Sequence, residues 1–256
     1  MVDNNVNVYS LKGEVLRTQP LPGVFTTQFR PDVIKRAVVA EEANRRQPYG
    51  PKPGAGTRHS VSTWGKGRGV ARVQRLSQGA KAAESPNNVG GRRAHPPRVE
   101  KDWGLKVNRK ERLLARLSAL AATADVEKVR ARGHRFEETL TLPVVIEDRL
   151  EEVQSTSEVL EVLRTIGLGD DVIRSKDGVR VRAGRGKMRG RRYRMPRGLL
   201  IVVSSHEVAL VKGARNLPGV EVAYAEKLSS SLLAPGGLPG RLTVFSESAF
   251  NKVGGW

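Results

Sequence analysis

The sequence predicts an α/β protein, a three-layer sandwich with a mostly parallel sheet and long basic loops. Short apolar β-branched runs alternate with helical stretches from residue 142 onward, which is typical of βα units. We therefore expect strands that are buried on both faces and joined by right-handed crossovers. The net charge of +19 among 256 residues is concentrated in two Gly-rich segments, and these are the predicted loops.

The first part of the chain predicts a hairpin and two helices. Apolar residues on either side of a Lys-Gly pair at 12–13 indicate a short hairpin. Pro31 suits the first turn of a helix that reaches about Arg46, with an apolar stripe at i, i+3 and i+4. Asn108 and Glu111 have capping-box spacing for a second helix with an apolar face of Leu and Ala.

The second half of the chain supplies the remaining strands and helices. Ser155 and Glu158 have capping-box spacing, and Gly167 follows the last apolar position of the helix that they begin. Another helix is expected near Asp170–Arg174. The predicted strands are Pro143–Ile146, Leu199–Val203, Val220–Tyr224 and Leu242–Phe245, and the other predicted helices are Ser205–Lys212, Ala225–Leu233 and Glu247–Lys252.

Two segments carry the whole net charge. Residues 44–99, the first basic segment, hold twelve Lys or Arg and one acid, and residues 182–198, the second basic segment, hold eight and none. The other 183 positions contain 25 basic and 25 acidic residues. The sequence thus indicates a neutral globular scaffold with two basic appendages, which is typical of a binding footprint rather than of general solubility.

The first basic segment is expected to project from the scaffold. It is rich in Gly and Pro and poor in Leu, Ile and Phe, so it buries too little apolar area to offset its ordering entropy. A loop of this length is uncommon inside a compact domain. We predict that 1–46 begins the globular α/β domain, that 47–104 is an extended loop, and that 105–256 completes the domain with a binding loop at 182–198.

Composition excludes several classes of protein. The chain has no cysteine, which excludes disulfide frameworks, thiolate metal sites and cysteine nucleophiles. No window approaches the roughly 18 consecutive apolar residues of a membrane span. Met1–Ser10 lacks the basic leader of a signal peptide. We expect neither export nor contact with a membrane.

Arginine and aromatic residues in the basic segments indicate RNA as the partner. Arginine contacts phosphates and guanine edges through a planar fork and stacks on bases. Trp64 and Tyr193 lie among the arginines, where exposed rings stack on unpaired bases. For Tyr193 and Trp103 an anchoring role against the core is an equal alternative.

The Gly-rich stretches and the histidines predict no cofactor or metal. Gly-x-Gly patterns at 65–69 and 184–190 lack the spacing and the strand-to-helix context of nucleotide-binding loops. The four histidines, at positions 59, 95, 134 and 206, have no metal-ligand spacing and are interpreted as polar or stacking residues near RNA.

The acidic pairs and the one Ser-His-Glu run predict no catalytic residue. Glu151/Glu152 and Asp170/Asp171 are interpreted as solvated charges at helix ends. Residues 204–207 read Ser-Ser-His-Glu, but adjacent side chains rarely converge, so we interpret this run as a strand end and a helix cap.

Three motifs in this order resemble a known family. They are the Gly-Lys-Gly-Arg-Gly run from Gly65, the Asn-Val-Gly-Gly-Arg-Arg run from Asn88, and the Lys-Met-Arg-Gly-Arg-Arg-Tyr run from Lys187. Together they resemble the universal large-subunit ribosomal protein four, in its archaeal and eukaryotic branch. The chain ends at Trp256 without the basic tail of eukaryotic members, so it resembles the archaeal type.

The resemblance implies a Rossmann-like domain, no enzymatic activity, and a long extended loop that penetrates ribosomal RNA and helps line the nascent-peptide exit tunnel. It implies partners in large-subunit rRNA, other large-subunit ribosomal proteins and the nascent polypeptide, and a cytoplasmic location within the ribosome. The tunnel-lining residues would be Lys66, Arg68 and Arg72. The predicted RNA-binding residues are Arg45, Arg46, Lys52, Arg58, His59, Trp64, Lys66, Arg68, Arg72, Arg75, Lys81, Arg92, Arg93, His95, Arg98, Arg182, Arg185, Lys187, Arg189, Arg191, Arg192, Tyr193, Arg194 and Arg197.

Two other functions remain open from the residues alone. An enzyme acting on RNA or a nucleotide would use the crevice at the carboxyl ends of the parallel strands. A non-ribosomal RNA chaperone would use the same basic segments without the ribosome.

Overall fold

A computed structural model describes residues 5–256, so the first four residues of the predicted 1–46 part lie outside the described residues. The chain divides into two compact units. The scaffold joins the chain up to Glu42 with Leu105–Trp256, and the arm unit is Ala43–Gly104. The α/β class and the mostly parallel sheet are confirmed. No helix within the described residues is long and apolar enough to span a bilayer.

The scaffold is built on a six-stranded sheet. The ten strands of the described chain are β1 Asn5–Tyr9, β2 Val15–Pro20, β3 Val61–Ser62, β4 Arg75–Leu76, β5 Val144–Ile146, β6 Arg180–Val181, β7 Tyr193–Arg194, β8 Leu200–Val203, β9 Glu221–Tyr224 and β10 Thr243–Ser246. The strand order in this sheet is β2-β1-β5-β10-β8-β9. Only β2 runs antiparallel to its neighbour, as the second strand of the expected hairpin, and the other pairings are parallel.

Helices cover both faces of this sheet. Alternate strand residues point to opposite faces, so Val145 and Phe245 lie in one apolar core while Val144 and Val244 lie in the other. The helices of the described chain are α1 Pro31–Asn44, α2 Arg109–Thr123, α3 Val126–Ala131, α4 Thr156–Ile166, α5 Gly169–Asp177, α6 Leu210–Ala214, α7 Ser230–Leu233 and α8 Glu247–Gly254. The first core contains residues of α1, α2, α7 and α8, and the second contains residues of α3, α4, α5 and α6.

The helix caps and two helix bounds differ from the predictions. Asn108 and Ser155 stand at the N-cap positions of α2 and α4, but neither side chain makes the expected capping hydrogen bond. The prediction of a helix from Ser205 was wrong, because the chain bends after β8 and α6 begins only at Leu210. The helix predicted from Ala225 is split into a 3₁₀ turn and the short α7.

The arm unit has no apolar core of its own. Neither apolar core of the described chain includes a residue from 43–104. Its regular structure is the two-residue ribbon of β3 and β4, which pair antiparallel, together with a series of turns. The unit therefore buries little apolar area, as its composition predicts.

Candidate nucleic-acid interface

The second basic segment forms a short ribbon that presents its cations to solvent. β6 and β7 pair antiparallel, and a 3₁₀ turn at Arg185–Arg189 connects them. Gly184 and Gly190 flank this turn with φ of +76° and +74°, a conformation that side chains rarely adopt. Tyr193 is 60% exposed, so it does not anchor the loop against the core. It stays available for stacking.

The root of this ribbon is fixed at the amino ends of three parallel strands. Gly198, just before β8, donates its N–H to the carbonyl of Gly219 at 2.9 Å, just before β9. Arg241, just before β10, donates Nε–H to the carbonyl of Gly198 at 3.0 Å and Nη1–H to Glu221 at 2.7 Å. Arg241 is fully buried. Glu221 also pairs with Arg197 of the segment itself.

A second anchor involves a buried carboxylate. Asp171 Oδ1 accepts hydrogen bonds from His134 Nδ1 at 3.0 Å, Arg135 N–H at 3.2 Å and Arg174 Nε at 2.9 Å. Arg174 in turn donates to the backbone carbonyl of Arg197 at 3.0 Å. Asp171 therefore positions Arg174, and Arg174 binds the end of the second basic segment.

Titration behaviour follows from this burial. Burial alone would raise the pKa of Asp171, but the hydrogen bonds and charges of His134 and Arg174 outweigh it and lower the pKa. Burial lowers the pKa of His134 despite its carboxylate partner. Two predictions are corrected here. Asp171 is not a solvated helix-end charge, and the His134 ring is not free to stack on RNA, because both side chains are buried in the scaffold.

In the arm unit the outgoing and returning limbs run side by side. A Cβ on Gly50 would lie 2.7 Å from the carbonyl oxygen of Pro97, and a Cβ on Gly56 would lie 2.6 Å from Cα of Arg92. Glycine is required at both positions because the backbones approach too closely for a side chain. Between these limbs and the turn beyond them lies the ribbon of β3 and β4.

The turn beyond β3 and β4 is open and glycine-rich. Gly65, Gly67 and Gly69 have φ between +64° and +79°, and a Cβ on any of them would meet no atom within 4 Å. Lys66 and Arg68 lie between these glycines and are exposed, as is the nearby Arg72. The three expected tunnel-lining residues therefore share one exposed turn.

The two tryptophan rings of the arm unit carry cations on their faces. The guanidinium carbons of Arg75 and Arg68 lie 4.9 Å and 5.8 Å from the ring centroid of Trp64. Lys101 Nζ and the guanidinium carbon of Arg46 lie 4.4 Å and 5.0 Å from that of Trp103. These cation–π contacts hold four cations against two rings, an arrangement that the sequence alone does not show.

Nearly all basic side chains of the two segments lack an acidic partner among the described residues. Eighteen of the twenty are exposed, while Arg75 and Arg182 are partly buried. Within residues 5–256, only Arg197 of these twenty forms a salt bridge with an acidic group. His59 and His95 are exposed in the arm unit. The surface therefore concentrates positive charge without internal compensation.

The carboxyl edge of the sheet, where an α/β enzyme binds its ligand, is filled by internal hydrogen bonds. Glu151 accepts from Ser204 N–H and Oγ–H, both at 2.7 Å, and from Ser246 Oγ–H at 2.6 Å. Glu151 thus bridges the ends of β8 and β10, where the connections turn to opposite faces of the sheet. The predictions of a solvated Glu151 and of a helix cap in the run at 204–207 were wrong, because Glu151 is partly buried and the next helix begins only at Leu210. The His206 ring packs against Tyr224 in a tilted arrangement, with ring centroids 4.6 Å apart.

Titratable side chains do not gather into a metal site. Within the part of the chain that the structure describes, no three His, Asp or Glu residues lie together as metal ligands.

The chain is similar to proteins of one ribosomal family. A model of the ribosomal protein L4/L1 family matches residues 19–256. The large ribosomal subunit protein uL4 of Archaeoglobus fulgidus is 51% identical over 249 residues, covering 97% of this chain and 98% of that protein. The uL4 proteins of Methanocaldococcus jannaschii and Haloquadratum walsbyi are 51% and 49% identical over 246 residues, covering 96% of this chain and 96% and 97% of those proteins.

Proposed function

Because this chain belongs to the ribosomal protein L4/L1 family, in its archaeal type, we propose that it binds large-subunit rRNA through the two basic segments. Members of this family are structural proteins and not enzymes. The chain would act within the large subunit of cytoplasmic ribosomes, in contact with other ribosomal proteins and with no membrane.

One observation carries the proposal: nineteen of the twenty basic side chains in the two segments lack an acidic partner among the described residues. Clustered like charges repel each other, so such a surface destabilises the free chain. Phosphates remove that repulsion and release counterions when they bind. Since arginine predominates, bidentate contacts to phosphates and stacking on bases are both available.

The two units have different roles in this proposal. The scaffold would be a Rossmann-like domain. Its mostly parallel sheet with helices on both faces supports this assignment. The loop at 47–104 would extend and penetrate the rRNA, which supplies the contacts that its own composition lacks. The open turn with Lys66, Arg68 and Arg72 would then line the exit tunnel and meet the nascent polypeptide.

The salt dependence of rRNA binding tests this proposal. The affinity of the full chain for in vitro transcribed large-subunit rRNA would be measured at several salt concentrations. Each lost phosphate contact should make the slope of log affinity against log salt shallower by about 0.7–0.9. A quadruple variant of the second basic segment should therefore make the slope shallower by roughly 3. Its substitutions are Arg185→Gln, Lys187→Gln, Arg189→Gln and Arg191→Gln.

A matched variant removes four exposed scaffold cations instead, so its net charge equals that of the first variant. If rRNA contacts the basic segments, this control should change the slope far less. Equal effects of the two variants, or a wild-type slope shallower than about −3, would contradict the proposal. The control substitutions are Lys12→Gln, Lys212→Gln, Arg215→Gln and Lys227→Gln.

A further inference from the structure

A cavity of about 630 Å³ lies within the arm unit. Its wall includes Tyr49 from the outgoing limb and, from the returning limb, Arg93, His95, Arg98, Lys101 and Trp103. We propose that this cavity binds a single unpaired nucleotide, with the base on Tyr49 and the phosphate among the cations. This inference rests on the proposed rRNA binding and names the element of RNA that the arm unit recognises.

The cavity exists because the two limbs approach each other at Gly50. Its close contact with the backbone at 97–99 places Tyr49 beside the returning limb. Pro96 and Pro97 form part of the wall, and their restricted φ makes that limb stiff. The volume is within the range of about 300–1,000 Å³ that is usual for small-molecule sites.

The lining selects an anion. Arg93, Arg98 and Lys101 contribute three positive charges, and no acidic side chain lines the cavity. None of the three forms a salt bridge elsewhere within the described residues. A phosphate is the anion that RNA supplies, and arginine matches it through two parallel hydrogen bonds.

The aromatic residues of the wall select a base. The ring of Tyr49 is 63% exposed, which leaves a face for a base to stack on, and only an unpaired base offers its own face. The ring of Trp103 is already occupied by Lys101 and Arg46. Trp103 therefore contributes the N–H of its indole rather than a face for stacking. Its Nε1–H is buried and has no acceptor among the described residues. Base edges present ring nitrogens and carbonyl oxygens as acceptors.

The test maps nucleotides in the complex of the full chain with in vitro transcribed large-subunit rRNA. Chemical probing of each base would compare the wild type with Tyr49→Ala. We expect one unpaired nucleotide to be protected by the wild type and to become reactive in the variant. The affinity should fall at least about fivefold, as for the loss of one stacked base.

Two further variants separate stacking from folding. Tyr49→Phe keeps the ring and should keep the protection of that nucleotide. Tyr193→Ala removes a ring of similar exposure from the second basic segment and should expose a different nucleotide. The pocket is refuted if Tyr49→Ala leaves every protection unchanged while rRNA still binds. If the wild type does not bind the rRNA at all, the proposed function fails and the pocket fails with it.

Discussion

Replacing Asp171 by Asn should destabilise the scaffold by about 3 kcal/mol, because it removes the charge of a buried ion pair. Breaking such a pair by removing one partner typically costs about 3–5 kcal/mol. Arg174 retains 19% side-chain exposure and can turn partly to water, which places the expected cost at the lower end. An amide oxygen also accepts the hydrogen bonds of His134 and Arg174 less strongly than a carboxylate oxygen does.

Urea unfolding followed by circular dichroism at neutral pH measures this loss directly. Asp170→Asn is the matched control, because it makes the same change one residue earlier, on an exposed side chain of the same helix turn. We expect this control to stay within about 0.5 kcal/mol of the wild type. If both variants unfold at the same urea concentration, the argument that Asp171 supports the root of the second basic segment is wrong.

Three other predictions follow from the same geometry. Since burial holds the pKa of His134 below its ordinary 6.5, the unfolded state binds more protons below that pH. The urea midpoint should therefore fall as the pH is lowered from about 6.5, and less so in His134→Gln. Limited trypsin digestion of the free chain should cut within 43–104 and within the exposed second basic segment before the rest of the scaffold, since the arm unit lacks an apolar core and the cations of the ribbon face solvent. Added rRNA should protect both segments, and earlier cleavage elsewhere in the scaffold would contradict the idea. Gly56→Ala should speed cleavage of the arm unit, because its Cβ would meet the facing backbone, whereas Gly67→Ala, with a similar φ and open space, should change it little.

The elements of the scaffold could be predicted because burial on both faces leaves a strong pattern. The run at Leu199–Val203 and the helix closed by Gly167 were located to within one residue. The capping hydrogen bonds could not be predicted correctly, because the spacing of the residues shows only that such a bond is possible. Ser155 bonds to Ser157 instead, a local competition that is common for short hydroxyl side chains.

The clustered cations were visible in the sequence, but the side chains that support them were not. Uncompensated cations appear in a simple count of residues. The contact of His134 with Asp171 joins residues 37 positions apart, and that of Glu151 with Ser246 joins residues 95 apart. Only the folded topology creates such pairs, so single residues were interpreted from their neighbours and wrongly placed in solvent.

The two edges of the parallel sheet have different roles in this scaffold. Ligands of open α/β sheets lie at the carboxyl ends of the strands, where connections diverge to opposite faces. Here Glu151 closes that edge by bridging Ser204 and Ser246. The second basic segment is instead rooted at the amino ends of β8, β9 and β10, where Arg241 ties it to the scaffold. Because these parallel strands begin at the same edge, one buried arginine holds the ribbon against all three, and the carboxyl edge is left to stabilise the fold.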